Sequence, residues 1–316
     1  MAVDTDVKKQ VREFYNQVGW REVSEGMYQN AHYEDLRPIS REYIHRCHLR
    51  VNRHLRQAGK YLLDAGSGPI QYPEYLEYSR DYSYRVCADI SIVALQEARK
   101  RIREHGLFVV ADIANLPFKS GIFDGVVSLH TLHHLPMGEH CQAYLELNRV
   151  LTPGSTAVVV NGWDTSPLMT IANGPIWLVE KLYRLKRGLT KQGASDQQNQ
   201  QVINIDSEKM EVTSDFPDQW VNPKREKRRK PRSTLPKGTF VQKHNASWLK
   251  REIGSMMPVQ IYVWRSVSVR FLRDLIHDRW GGRRLLQYLY WLEERFPHFL
   301  GNCGQYPLIV IEKKRS

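Results

Sequence analysis

The stretch of sequence that decides the fold is LLDAGSGP, residues 62–69, where an apolar run ends at Asp64 and leads directly into Gly66 and Gly68. Glycine lets the backbone turn sharply and approach a ligand closely because it has no Cβ atom. A helix that follows such a turn directs its first backbone N–H groups toward the ligand. The stretch therefore predicts a strand, a glycine turn and a helix, with a nucleotide site at the turn.

The spacing of the glycines helps to distinguish which kind of nucleotide the predicted site would bind. Residue 71 is Gln, so the third glycine of the dinucleotide fingerprint G-x-G-x-x-G is absent. This disfavours a nicotinamide-dependent oxidoreductase. A glycine turn after a strand can also be purely structural, so the choice depends on the rest of the chain.

Short apolar runs alternate with helical patterns around this stretch, which is typical of a parallel sheet covered by helices. Five strands are predicted in the first half of the chain, at 61–66, 84–89, 107–112, 123–130 and 155–162. Two more are predicted at 259–268 and 307–314, separated by a long helical segment. We therefore predict a doubly wound α/β fold.

Two acidic residues follow predicted strands. Asp89 ends the second strand, 21 residues after Gly68, which is where a doubly wound fold places the acid that binds ribose hydroxyls. Its alternative role is to cap a helix that starts near Ser91. Asp112 ends the third strand, where its carboxylate could accept a hydrogen bond from an adenine amine. Its alternative role is to form a turn.

The motifs LLDAGSG, ADIANLPF, FDGVVSLHTLHHL and RVLTPGS, in this order, resemble class I S-adenosylmethionine-dependent methyltransferases, particularly the group with quinone-biosynthesis C-methyltransferases and many small-molecule enzymes. The resemblance covers residues 60–162, about a third of the chain. It implies S-adenosylmethionine as cofactor and a Rossmann-like, mostly parallel seven-stranded sheet whose last strand is antiparallel. The predicted cofactor-binding residues are Asp64, Ala65, Gly66, Ser67, Gly68, Asp89, Ile90, Asp112, Ile113 and His130.

Three histidines follow the fourth strand in the segment SLHTLHHLP, and they are the catalytic candidates: His130, His133 and His134. The sulfonium of the cofactor already activates its methyl group, so the main tasks of the enzyme are to align the nucleophile and to exclude water. A base is needed only if the nucleophile carries a proton. The alternative is that these histidines only line the pocket. No companion ligands occur at metal-binding spacing, so no metal is predicted.

The chain is predicted to divide into four segments. Residues 1–58 form an N-terminal helical cap, in which Ser40 is the expected N-cap of the second helix. Residues 59–163 form the cofactor-binding core, and 164–240 form a large, partly disordered, basic insertion after the fifth strand. Residues 241–316 complete the sheet.

The acceptor is predicted to bind outside the core, since the core groups contact the cofactor. Candidate substrate residues in the cap are Tyr28, His32, Tyr33, Asp35 and Arg37; their alternative role is to cover the edge of the sheet. The exit of the fourth strand lacks the N-P-P-Y or D-P-P-Y pattern of enzymes that methylate amino groups of bases. A small-molecule or lipid-like acceptor is therefore favoured over nucleic acid.

The charge of the chain raises the question of anionic partners. The run KREKRRKPR, 224–232, has seven basic residues and one acid, a net of +6 within a total of +12. The segments 167–186 and 224–232 are candidates for contact with a membrane surface. The four cysteines have no C-x-x-C spacing, so neither a disulfide framework nor a zinc site is suggested. No run reaches the roughly 18 apolar residues of a membrane span, so a cytoplasmic protein is expected.

The sequence thus predicts an S-adenosylmethionine-dependent methyltransferase that acts on a small-molecule or lipid-like acceptor. One alternative is a non-catalytic protein that binds S-adenosylmethionine or a partner on the same fold. Another is an RNA methyltransferase that uses the basic run. Oligomeric state is not predicted.

Overall fold

The structure is a computed structural model that describes residues 2–20, 22–24, 27–28, 34–56, 58–174, 176–177, 181 and 239–315. The basic run 224–232 lies outside the described residues, as do most of the predicted insertion, His32, Tyr33 and the side chain of Tyr28. The predicted boundaries of the four segments stay a prediction.

Seven strands form one sheet in the order β3-β2-β1-β4-β5-β7-β6. Their bounds are β1 Gly59–Ala65, β2 Tyr82–Asp89, β3 Gly106–Val110, β4 Gly125–Leu129, β5 Thr156–Val160, β6 Val259–Arg265 and β7 Tyr306–Glu312. Strands β1 to β5 are parallel to their neighbours, while β7 runs antiparallel to both β5 and β6. The predicted seven-stranded, mostly parallel sheet with an antiparallel last strand is confirmed. A separate hairpin pairs Glu22–Ser24 with Met27–Tyr28.

The central strands are apolar because both faces of the sheet are covered. In β1, Leu62 packs in a cluster on one face, while Leu63 and Ala65 pack in a second cluster on the other. Neighbouring residues of a strand point to opposite faces, so a strand covered on both sides needs a continuous apolar run. The run LLDA therefore anchors the strand that leads to the glycine turn.

The helices have the bounds α1 Ala2–Phe14, α2 Pro38–Leu49, α3 Ile92–Ile102, α4 His140–Val150, α5 167–174, α6 Ala246–Trp248, α7 Val269–Leu275, α8 Gly282–Arg295 and α9 Pro297–Cys303. Residues of α2, α5, α7 and α8 form a third apolar cluster beside the sheet. The long helical segment between β6 and β7 is thus confirmed. Within the described residues, no helix has the length and apolar character needed to cross a membrane.

The start of α2 differs from the prediction. Its N-cap is Arg37 and its first residue is Pro38, a position that suits proline because the first N–H groups of a helix need no partner within it. Ser40 is buried, and its hydroxyl donates to Asp35 Oδ2 over 2.6 Å. Ser40 is therefore not the cap, since proline sets the start of the helix two residues earlier.

Candidate active site

The glycine loop leaves β1 between the ends of β2 and β4. Gly66 and Gly68 have φ angles of 76° and 53°, which are strained for residues with a Cβ atom. The backbone N–H of Gly66 donates to the carbonyl of Ala88 in β2 over 2.7 Å. A Cβ atom on Gly66 would lie 2.1 Å from Thr131 Cγ2, just after β4. Glycine is therefore required at position 66 by both conformation and space.

The predicted helix after this loop takes a different form. A 3-10 helix begins at Pro73 and ends at Ser79, and residues 69–72 lie between it and the loop. Proline favours the start of a helix, and the residue before it favours extended backbone. The first N–H groups of this helix are thus separated from the loop, and we assign them no ligand.

Asp64 supports the loop from inside the protein. Its side chain is buried, and Oδ2 accepts a hydrogen bond from Arg85 Nε over 3.0 Å and another from the same guanidinium. Arg85 is fully buried in β2 and also donates to the carbonyl of Tyr75. A buried charge needs such a partner to offset its desolvation. Asp64 therefore positions the loop rather than facing its open side.

Asp89 lies at the end of β2 with its carboxylate under the glycine loop. Oδ2 accepts from the N–H of Gly68 over 2.9 Å, and Oδ1 accepts from the N–H of Ser91 over 2.8 Å. An ionised carboxylate has about four acceptor positions, so two remain for the hydroxyls of a ribose. Burial raises the pKa of Asp89 to about 6, against the effect of these two hydrogen bonds.

The helix after β2 is capped by Ser91 and not by Asp89, which was the alternative role of Asp89. Ser91 is the N-cap of α3, where its side-chain oxygen accepts from the N–H of Ala94 over 3.1 Å. Ile90, between the two, is half-buried. The carboxylate of Asp89 is therefore not needed to begin the helix, although it fixes the backbone of Ser91.

Asp112 lies after β3, and its two carboxylate oxygens have different partners. Oδ1 accepts from the N–H of Ala114 over 3.0 Å, which is the Asx turn of the alternative interpretation. Oδ2 forms an ion pair with the ammonium of Lys8, which also pairs with Glu139. Ile113 packs in the core beneath this turn. Asp112 therefore has one oxygen held by the turn and one that faces the cap.

The N-terminal helix α1 and the π-helical turn after it, Tyr15–Gly19, cover this edge of the sheet. Ring atoms of Trp20 lie 3.0 and 3.1 Å from the point where a Cβ atom of Gly68 would be. Tyr15 stacks on Trp20 with 5.0 Å between ring centroids, and the hydroxyl of Ser91 donates to Asn16 over 2.6 Å. Helical periodicity predicted a cap but not these contacts, because spacing along a helix does not show which surface the helix covers.

His130 follows β4 directly and has an unusual backbone. Its φ angle is 54°, and its N–H donates to the carbonyl of Val160 over 2.7 Å. The ring packs edge-on against Trp264 and Tyr306, at centroid distances of 5.1 and 5.8 Å. Burial and the nearby Arg265 guanidinium lower the pKa of His130 to about 3, so the ring is neutral. Such backbone strain in a non-glycine residue is most frequent at functional sites.

His133 and His134 are engaged in contacts within the protein. His134 Nδ1 lies 2.8 Å from the carbonyl of Phe240 and therefore donates, while Nε2, 2.8 Å from the Tyr15 hydroxyl, accepts. His133 Nδ1 lies 3.1 Å from Asn161 Oδ1. Burial lowers the pKa of both rings, that of His134 to about 4. Of the three predicted candidates, His130 is therefore the one whose ring nitrogens have no hydrogen bond to the described residues.

A buried cluster of charges beside His130 had no signal in the sequence. Arg265, at the end of β6, pairs with Glu34 of the cap. His48 lies 3.9 Å from Glu34 and 3.4 Å from Glu74, and its ring stacks on Trp264. Burial alone would raise the pKa of Glu34, but Arg265 and His48 outweigh it and hold that pKa at about 2. These residues are far apart in sequence, so only the fold brings them together.

The cap residues predicted to bind the acceptor are only partly described. Asp35 is buried, and its carboxylate accepts from the guanidinium of Arg37 over 2.8 Å. Arg37 also donates to the carbonyls of Leu272 and Ile276 at the end of α7, over 2.7 and 3.2 Å. These two residues therefore attach the cap to α7, and we do not place them in the proposed acceptor site.

The order of the sheet, its antiparallel β7 and the glycine loop after β1 are those of the class I S-adenosylmethionine-dependent methyltransferase fold. A family model described as "Methyltransferase domain" matches residues 63–159. This range contains β2, β3 and β4, the last three residues of β1, all of β5 except Val160, and the loop with Asp64, Asp89 and Asp112. The class predicted from the motifs is therefore confirmed for this part of the chain.

Individual proteins resemble the chain either over a short range or over most of its length at low sequence identity. "Methyltransferase GfsG" of Streptomyces halstedii is 29% identical over 109 residues, which is 33% of this chain and 38% of that protein. Geranyl diphosphate C-methyltransferase from Streptomyces coelicolor A3(2), solved with Mg2+, geranyl diphosphate and S-adenosyl-L-homocysteine, is 15% identical. The match covers 97% of each chain with a TM-score of 0.50. The [4+2]-cyclase SpnF is 15% identical, with 99% of this chain and 96% of that chain covered and a TM-score of 0.47.

Proposed function

We propose that the protein is an S-adenosylmethionine-dependent methyltransferase that acts on a small-molecule or lipid-like acceptor. The observation that carries this proposal is the convergence of the Gly66–Gly68 loop, Asp89 and Asp112 at one edge of a sheet that matches the methyltransferase family. Ligands of open α/β sheets bind outside the carboxyl ends of the strands, where these groups lie.

The described residues fit the cofactor. The two remaining acceptor positions of Asp89 suit the ribose hydroxyls, and Asp112 Oδ2 suits an adenine amine in place of Lys8. The open side of the loop is covered by Trp20, so the cap must move aside when the cofactor enters and can then close over it. The predicted contacts of Ala65, Ser67, Ile90, Ile113 and His130 remain part of this proposal.

The chemistry asked of the protein is modest. When bound, the cofactor supplies a methyl group already activated by the sulfonium, so alignment and exclusion of water provide most of the rate enhancement. The cap, through Tyr15 and Trp20, excludes water from the loop. The neutral ring of His130 can accept a hydrogen bond from the nucleophile and orient it, whereas its low pKa makes it a weak base.

The acceptor class is supported by the surroundings of His130. The rings of Trp264 and Tyr306 border it, and the Arg265–Glu34 pair lies next to them. Apolar rings with a few polar groups are typical of pockets for small organic molecules. The basic run of the RNA alternative lies outside the described residues, and no described contact favours that alternative.

The test is a transfer assay with S-adenosylmethionine carrying a tritiated methyl group, incubated with total cell extract that is then separated into solvent-extractable, RNA and protein fractions. We expect label in the solvent-extractable fraction, and much less of it with Asp89→Ala at the same cofactor concentration, because this variant should bind the cofactor about tenfold more weakly or worse. Label in RNA would contradict the proposed acceptor class. Cofactor binding without transfer to any fraction would support the non-catalytic alternative instead.

A further inference from the structure

The outward face of α8 carries large apolar side chains where a helix of this kind usually has polar ones. Leu285, Tyr288 and Trp291 are 44%, 57% and 55% exposed. The opposite face buries Leu286 and Tyr290 in the cluster with α2 and α7. The helix is therefore apolar on both sides, and only one of its apolar faces has a partner in the described chain.

The exposed residues form one stripe along the helix. Positions three or four apart lie on the same side of a helix, which places Leu285, Tyr288 and Trp291 in a row. The rings of Tyr288 and Trp291 stack at 5.7 Å between centroids, with an angle of 20° between planes. Exposed aromatic residues continue beyond the helix with Phe296 and Phe299. A contiguous stripe of this kind, unlike single exposed residues, indicates an interaction surface.

The charges on this face are positive. Helical spacing places Arg284 and Arg295 on either side of Tyr288, and neither guanidinium has an ion-pair partner among the described residues. The acids of the helix are directed elsewhere: Glu293 is fully buried, and Glu294 pairs with Arg53 of the cap. The outward face of α8 therefore combines apolar rings with cations that no acid in the described part of the chain pairs with.

We propose that the outward face of α8 docks on an anionic lipid surface. Tryptophan and tyrosine favour the headgroup region because their rings are apolar and their N–H and O–H groups are polar, and arginine pairs with lipid phosphate. A single convex helix face offers no groove for a peptide, whereas it can lie flat on a bilayer. The chain has 46 basic and 34 acidic residues, so its overall charge also favours an anionic surface.

The experiment is co-sedimentation of the full chain with vesicles of phosphatidylcholine, with and without phosphatidylglycerol. We expect binding to the mixed vesicles and much weaker binding to phosphatidylcholine alone. The double variant Tyr288→Ser/Trp291→Ser should bind the mixed vesicles about tenfold more weakly or worse. Arg284→Gln/Arg295→Gln should reduce the preference for the anionic lipid. The matched control is Ile122→Ser/Leu145→Ser, which removes two exposed apolar residues from another part of the surface and should bind as the wild type does.

Three results would overturn the proposal. The first is a wild-type chain that does not bind the mixed vesicles, and the second is a Tyr288→Ser/Trp291→Ser variant that binds as well as the wild type. The third is a wild-type dimer in sedimentation velocity that the same variant converts to a monomer, because a second copy would then cover this face. Vesicle binding is measured without cofactor or acceptor, so its outcome is independent of the proposed methyl transfer.

Discussion

Gly66 is the residue at which the conformation of the loop is most constrained. Gly66→Ala should strain the backbone at a φ of 76° and place Cβ against Thr131, at a cost of about 1–3 kcal/mol in the free energy of unfolding. We expect cofactor binding to fall with it, because the loop must shift. Urea denaturation and equilibrium dialysis with S-adenosylmethionine would measure both.

The matched control for this substitution is Gly138→Ala. A Cβ atom there has nothing within 4 Å, and the residue lies in a short 3-10 helix with no positive φ. It should leave stability and binding unchanged. Equal behaviour of Gly66→Ala and Gly138→Ala would show that the loop conformation is not what the site depends on.

The raised pKa of Asp89 leads to a prediction of how cofactor binding depends on pH. Its pKa is raised to about 6 by burial, so the carboxylate gains a proton below that pH and loses acceptor capacity for the ribose. The affinity for S-adenosylmethionine should therefore fall below about pH 6, by up to about tenfold per pH unit. Asp89→Asn should bind weakly and without this pH dependence. A wild-type affinity that is constant from neutral pH to pH 5 would contradict the assignment.

At the scale of residues, the sequence predicted where the acidic residues of the site lie better than it predicted the contacts of the charged side chains. Asp89 and Asp112 follow their strands as predicted, because the end of a strand is readable from its apolar pattern. The partners of Asp64 and Arg37 were not readable, since Arg85 and the carbonyls of α7 approach them only in the folded chain. The partners of a charged residue in a motif therefore become known only from the fold.

Among the elements, α1 covers the edge of the sheet at which we propose that the cofactor binds. Lys8 connects this helix to Asp112 and Glu139, so Lys8→Met should loosen it and expose the glycine loop more often. We expect faster hydrogen exchange of the backbone amides of α1 in this variant, measured by mass spectrometry. Lys9→Met is the matched control, because Lys9 is exposed. Identical exchange in the two variants would mean that the ion pairs do not hold the helix.

The strands were predictable to within a few residues because burial on both faces requires continuous apolar runs. The starts of the helices were less predictable than the bounds of the strands. Proline moved the start of α2 away from Ser40, and Pro73 delayed the helix after the glycine loop. The stripe on α8 was also missed, because a helix that is apolar on two sides has the same sequence pattern as one buried between two layers.

For the whole molecule, the histidines predict loss of stability in acid. Burial lowers the pKa of His130, His133, His134, His140 and His244, so the unfolded chain binds protons below about pH 6.5 that the folded chain does not. The free energy of unfolding should therefore decrease as the pH falls from about 7 toward 4. His48 and Asp89, whose pKa values are raised, oppose this effect but are fewer. Urea denaturation across this range checks the sign, and a stability that rises toward acid would contradict it.

The central claim is that the edge of the sheet between the glycine loop, Asp89 and Asp112 binds S-adenosylmethionine, and isothermal titration calorimetry tests it most directly. We predict one site per chain for the wild type, competition by S-adenosylhomocysteine, and an affinity weaker by about tenfold or more in a folded Asp89→Ala variant. A folded wild-type chain that gives no binding heat and no competition, or an Asp89→Ala variant with unchanged affinity, would contradict the claim.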